Sequence, residues 1–131
     1  MKQLHHLPVT IHTPSDVVRR CHSFAAKPQE FVIGMYLSSR HQVITQKVIS
    51  IGTVNSSIIH ARELFAPAIQ CRASSLVLIH NHPSGNPEPS PEDIETTARM
   101  VAAGKTLDIP LFDHIILSKN TWCSLRQLGH L

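Results

Sequence analysis

Apolar positions along this chain follow two periods. Glu30–Leu37 and Val43–Ile51 are dense in strand formers, and the short Ser38–Gln42 stretch between them predicts a hairpin of antiparallel neighbours. Ser75–Ile79 is a short, unbroken apolar run, the pattern of a strand covered on both faces. Ala61, Leu64, Phe65 and Ala68 recur at helical spacing, which predicts a helix over Ala61–Gln70 whose length Pro67 leaves open. Ile94, Thr97, Ala98 and Val101 predict a second such helix, closing near Gly104. Leu111–Leu117 and Thr121–Leu125 read as a final hairpin pair.

Polar residues mark where helices begin. Thr13-Pro14-Ser15-Asp16 combines a capping hydroxyl, a proline where no amide hydrogen is needed and an acid at the positive end, predicting a helix to about Ala26 that Pro28 breaks. Ser90-Pro91-Glu92-Asp93 repeats that signal. Strands and helices alternate irregularly, so the expected class is α/β of the α+β kind, a mixed sheet flanked by helices. With 131 residues, 42% of them hydrophobic, one core and one domain over 1–131 are expected, with 1–12 as an irregular leading segment. No internal repeat, low-complexity tract or linker interrupts it.

Composition removes several classes. No stretch approaches the roughly 18 apolar residues of a membrane helix, and Met1–His6 lacks the apolar part of a signal peptide, so a soluble cytoplasmic protein is expected. Cys21, Cys71 and Cys123 are widely spaced without a Cys-x-x-Cys pair, which fits reduced thiols better than disulfides or a thiolate zinc site. The net charge of +3 is mild. Residues 1–50 hold six Lys/Arg against two acids, whereas 51–93 hold two against four, so no basic stripe surrounds the candidate site and direct nucleic-acid binding by this domain is not expected.

Ten histidines are many for this length, and spacing has to sort them. In "HNHPSGNPEPSPED", residues 80–93, His80 and His82 lie two apart at the end of a strand, where alternate side chains point the same way. The proline-rich turn after them returns the chain to Asp93 in the first turn of a helix. Two imidazoles and a carboxylate leave a tetrahedral zinc one open position for water. Glu30, at the head of a strand, is placed to take that water's proton, and Ser90 to donate to a developing oxyanion. Each feature has a plainer explanation by itself: His-x-His arises by chance, and Ser90 with Asp93 forms a capping box. Capping, however, does not require two histidines aimed at one place.

His80-x-His82, Ser90 and Asp93 with the upstream Glu30 resemble the signature of the JAMM (MPN-plus) zinc metallopeptidases. "HNHPSG", "PSPED" and "DHIIL" are more narrowly similar to the RadC-like family within that group, over Thr13 to the C-terminus. The resemblance implies a JAB/MPN-type sheet between helices with a cytidine-deaminase-like architecture. It also implies Zn2+ held by His80, His82 and Asp93, with Glu30 as general base and Ser90 as oxyanion donor. The implied activity is metalloprotease hydrolysis of a peptide or isopeptide bond in an unidentified peptide or protein. Longer relatives carry a helix-hairpin-helix region of DNA-binding type, which is not expected within these 131 residues, and DNA repair attaches through the family name alone. The alternative is a non-catalytic module that recruits protein or DNA in repair or mobile-element biology.

Further candidates are an Asp113-His114 pair orienting a ligand imidazole, His60 and Arg62 along a substrate groove, and Ser84 and Asn81 bracing the turn. The string "HNH" does not mark a nuclease, whose residues of that name are dispersed. A nucleobase deaminase would need His-x-Glu with Pro-Cys-x-x-Cys, which is missing.

Overall fold

The computed structural model describes residues 8–52 and 59–131. The elements run α1 (Pro14–Cys21), a short 3-10 turn (His22–Phe24), β1 (Glu30–Leu37), β2 (Val43–Gly52), α2 (Ala61–Gln70), β3 (Ser75–Asn81), α3 (Pro91–Leu107), β4 (Leu111–Leu117) and β5 (Trp122–Ser124). The five strands form one sheet in the order β2-β1-β3-β4-β5. Only β3 and β4 are parallel; the other neighbours are antiparallel, so the sheet is mixed and the fold α+β.

Alternation along the central strands builds two cores. Ile33, Met35, Leu37, Val77, Ile79, Ile115 and Leu117 face α1, with Val17 and Cys21 packed onto them. Val32, Tyr36, Leu76, Leu78 and Leu111 face the other way, against Leu64, Phe65 and Ala68 of α2 and Met100 of α3. Because β3 is buried at every position, its side chains are divided between two filled layers. This is why its sequence reads as an unbroken apolar run.

The expected elements are all present, with shifted ends. The first helix stops at Cys21 rather than near Ala26, tightening into the 3-10 turn that brings Phe24 to within 5.3 Å of Phe31 between ring centroids. Residues 9–11, expected to be irregular, instead pair with the β1–β2 turn: Ile11 N–H donates to His41 O at 2.8 Å and Val43 N–H to Val9 O at 2.8 Å. The rest of that leading segment, residues 1–7, lies outside the described residues.

Gly104, expected to close α3, lies inside it because the chain returns close by: a Cβ there would meet Ile109 O at 2.6 Å. The closing role falls to Asp108, left-handed at φ 57°, whose N–H bonds Gly104 O. β3 runs on to Asn81, which places His80 within the sheet rather than beyond its end. No helix among the described residues is long and apolar enough to cross a membrane.

Candidate metal centre

Three elements meet at one end of the sheet. β1 begins with Glu30, β3 ends with His80 and Asn81, and α3 begins beside them with Ser90 as its cap and Asp93 in its first turn. His80 shares the face of Leu76 and Leu78, so strand alternation alone turns it toward α3. His80 Nε2 and His82 Nε2 lie 3.0 Å apart. The Asp93 carboxylate spans both, with Oδ1 3.3 Å from His80 Nε2 and Oδ2 3.1 Å from His82 Nε2. Glu30 Oε1 stands farther off, 4.0 Å from His80 Nε2.

The ligand atoms of Glu30, His80 and His82 all lie within 4.8 Å of one another, and this cluster could hold a metal ion. Tetrahedral arms of about 2.0–2.1 Å put neighbouring donor atoms about 3.3 Å apart. The Asp93 distances match that edge more closely than the Glu30 distance does. The Asp93 oxygens thus lie nearer the two histidines than Glu30 does. A small hollow lined by Glu30, Val32, Ile59, His80, Asp93, Thr96 and His114 offers about 10 Å³ to the centre of a water molecule, about the room one water needs.

Proton bookkeeping tests whether these residues fit a cation. His82 Nδ1 lies 2.9 Å from Asn86 O, which only accepts, so the Nδ1 proton belongs there. Thr97 Oγ1 donates to Asp93 O at 2.8 Å and therefore accepts from His114 Nδ1 at 2.6 Å. His114 Nε2 is then bare and accepts from His80 Nδ1 at 2.7 Å. The ring protons these bonds fix point outward, which in the neutral rings leaves the two Nε2 atoms bare and facing each other beside a carboxylate. Such an arrangement repels itself unless a proton or a metal ion sits within it.

The titration shifts follow from that crowding. The bond to Asp93 raises the His82 pKa above its ordinary value, against the opposing effect of burial. Burial alone would raise Asp93, but the neighbouring His80 and His82 imidazoles and the Ser90 N–H outweigh it and hold the carboxyl well below its ordinary range. Burial raises the Glu30 pKa, with His80 and His82 pulling the other way, which moves it in the direction a general base needs. Burial, followed by the neighbouring His80, lowers His114 well below the ordinary value and keeps it neutral.

Ser90 and Asp93 do form the capping box: Asp93 N–H donates to Ser90 Oγ at 3.1 Å and Ser90 N–H to Asp93 Oδ2 at 2.9 Å. Cap and site are the same atoms. The box fixes the carboxylate in front of the imidazoles and leaves the Ser90 hydroxyl proton uncommitted.

The remaining candidates separate. Asp113 and His114 do not act as a pair, because adjacent strand residues point to opposite faces. Asp113 accepts from Ser124 Oγ at 2.6 Å, His114 N at 2.7 Å and Arg126 N at 3.1 Å on the α1 side, and burial raises its pKa. His60 caps α2 at an exposed position, and Arg62 pairs with Glu63 at 3.5 Å in solvent; neither lines the hollow. Ser84 Oγ accepts from Asn86 N within the turn at 3.4 Å.

Asn81 does something the motif did not suggest. Fully buried and turned away from the histidines, it accepts from Phe31 N at 2.6 Å and donates to Gln29 O at 2.9 Å and Lys27 O at 3.3 Å. It braces the segment carrying Glu30, not the turn after His82. Asn81→Ala orphans three backbone groups around Glu30, and chemical denaturation is expected to register a loss of about 2–3 kcal/mol. An unchanged unfolding midpoint would show that water replaces the amide.

A mixed sheet in this order, with helices on both faces and a cluster that could hold a metal ion where β1, β3 and α3 meet, defines a JAB/MPN-type domain. The family model for the RadC-like JAB domain matches residues 11–130, and the chain belongs to that family. It is 43% identical over 122 residues, 92% of this chain, to a UPF0758 protein of Halalkalibacterium halodurans. Against a UPF0758 protein of Bacillus cereus (strain AH187), identity is 42% over 123 residues, 93% of this chain. The chain spans about half the length of these relatives, 53% and 55%.

Proposed function

We propose that this domain is a zinc-dependent hydrolase of peptide or isopeptide bonds. The observation that carries the proposal is the convergence of His80 Nε2 and His82 Nε2 on the Asp93 carboxylate, with Glu30 Oε1 4.0 Å from His80 Nε2. His80, His82 and Asp93 would hold the zinc. When bound, zinc supplies a Lewis acid that brings the pKa of a water toward about 7.

The chain's own groups do the rest. Glu30 takes a proton from the attacking water as its oxygen bonds the carbonyl carbon, then passes that proton to the amine nitrogen as the C–N bond breaks. The Ser90 hydroxyl donates its free proton to the oxyanion that forms between those steps. The hollow beside Glu30 has room for about one water.

Zinc-loaded protein incubated with a mixed pool of peptides and isopeptide-linked conjugates is expected to generate new amino termini, detected by mass spectrometry and suppressed by a chelator. Intact substrates throughout, together with salt-sensitive retention of duplex DNA, would instead favour a recruiting module.

A further inference from the structure

We propose that His114, backed by Thr97, is a positioning residue that locks the His80 imidazole in the one tautomer able to face a metal. This rests on the zinc reading above and assigns a task to two buried side chains that the proposed chemistry does not use.

Asp93 O is a carbonyl and can only accept, so the Thr97 hydroxyl must spend its proton there, at 2.8 Å. Only its lone pair remains for His114 Nδ1 at 2.6 Å, so that nitrogen carries the hydrogen. His114 Nε2, now bare, can only accept from His80 Nδ1 at 2.7 Å. With both imidazoles neutral each bond has a single direction, and the last leaves His80 Nε2 without a proton, 3.3 Å from Asp93 Oδ1 and 3.0 Å from His82 Nε2. The relay thus starts at the backbone of Asp93 and ends opposite its side chain, coupling the strand that carries His80 to the helix that carries Asp93. Thr97 and His114 are fully buried, so water does not compete for these bonds.

The choice of acceptor has a consequence. A metal-binding imidazole commonly donates its second N–H to a carboxylate, a backbone carbonyl or water, as His82 does to Asn86 O. His80 donates to a neutral imidazole. With Glu30 and Asp93 already beside the histidines, a third carboxylate would add negative charge that blunts a metal's Lewis acidity. A neutral acceptor gives the orientation without that charge.

The test compares the full chain with His114→Phe, His114→Gln and Thr97→Val, using two readouts. Long-range proton–nitrogen NMR of the zinc-free proteins reports the His80 tautomer: a protonated Nδ1 and bare Nε2 are expected in the parent, and a mixture in His114→Phe and Thr97→Val. Zinc titration against a chromogenic chelator is expected to show affinity about 10–100-fold lower in His114→Phe. Partial recovery is expected in His114→Gln, whose amide oxygen can accept from His80. If His114→Phe does not fold, Thr97→Val, close in shape to the parent, decides the matter.

An unchanged His80 tautomer in the folded variants, parental zinc affinity, or equal impairment by Gln and Phe would overturn the proposal and leave His114 a packing residue. A parent protein with the expected tautomer but no zinc affinity would instead overturn the zinc reading on which this one rests.

Discussion

Glu30→Gln is expected to reduce hydrolysis by roughly 10²–10⁴-fold, the usual contribution of a positioned proton acceptor, while zinc stays bound. The amide keeps the size and the hydrogen-bonding edge of the carboxylate but cannot take a proton. Its place 4.0 Å from His80 Nε2 puts it behind the nearer Asp93 oxygen, so the loss should fall on kcat with little change in zinc affinity. Burial raises the Glu30 pKa above the ordinary glutamate value. Activity should therefore fall off on the acid side at a pH above that of an ordinary glutamate, as the base becomes protonated. Undiminished turnover in the variant, measured under saturating zinc, would remove Glu30 from the chemistry. Loss of zinc along with activity would make it a ligand instead.

His82→Ala is expected to weaken zinc binding by at least about a hundredfold. Spreading the roughly 10–16 kcal/mol of a tight zinc site over four ligands gives each about 3 kcal/mol. In the parent, zinc must displace the proton that Asp93 holds on His82, whose pKa is raised above 6.5. The sign follows: affinity falls as pH drops through the His82 value and levels off above it, and binding near neutral pH releases protons. Titration calorimetry in buffers of different ionisation enthalpy counts them. Asp93, held well below the ordinary carboxyl range, stays ionised across that window and adds no slope. A pH-independent affinity, or undiminished binding by His82→Ala, would place the metal elsewhere.

The core elements were legible because their periods differ: the unbroken Ser75–Ile79 run has the pattern of a strand covered twice, and Ser90-Pro91-Glu92-Asp93 that of a helix start. Element ends were less so. Gly104 looks like a stop from sequence, but its lack of a side chain answers the close return of Ile109 and Leu111, which are known only once the chain is folded. The same limit applies at the site. His80 and His82 share a face by simple alternation, but Asn81, on the opposite face, reaches Lys27–Phe31 because β1 lies beside β3, a pairing no local pattern announces. The Asp113-His114 pair is the converse case: adjacency suggested a shared role, and strand geometry divides the two between layers. The one signal that could have separated them in advance was the strand period itself, which sends His114 toward α3 and Asp113 away.

The central claim is that His80, His82 and Asp93 close on a single cation with Glu30 outside the ligand set. Diffraction from a zinc-soaked crystal, collected on both sides of the zinc absorption edge, tests it most directly. One anomalous peak is expected about 2.0–2.2 Å from His80 Nε2, His82 Nε2 and an Asp93 oxygen, with Glu30 at the greater distance of a water-mediated contact. No peak at that position, or one ligated by Glu30 with Asp93 turned away, would contradict it.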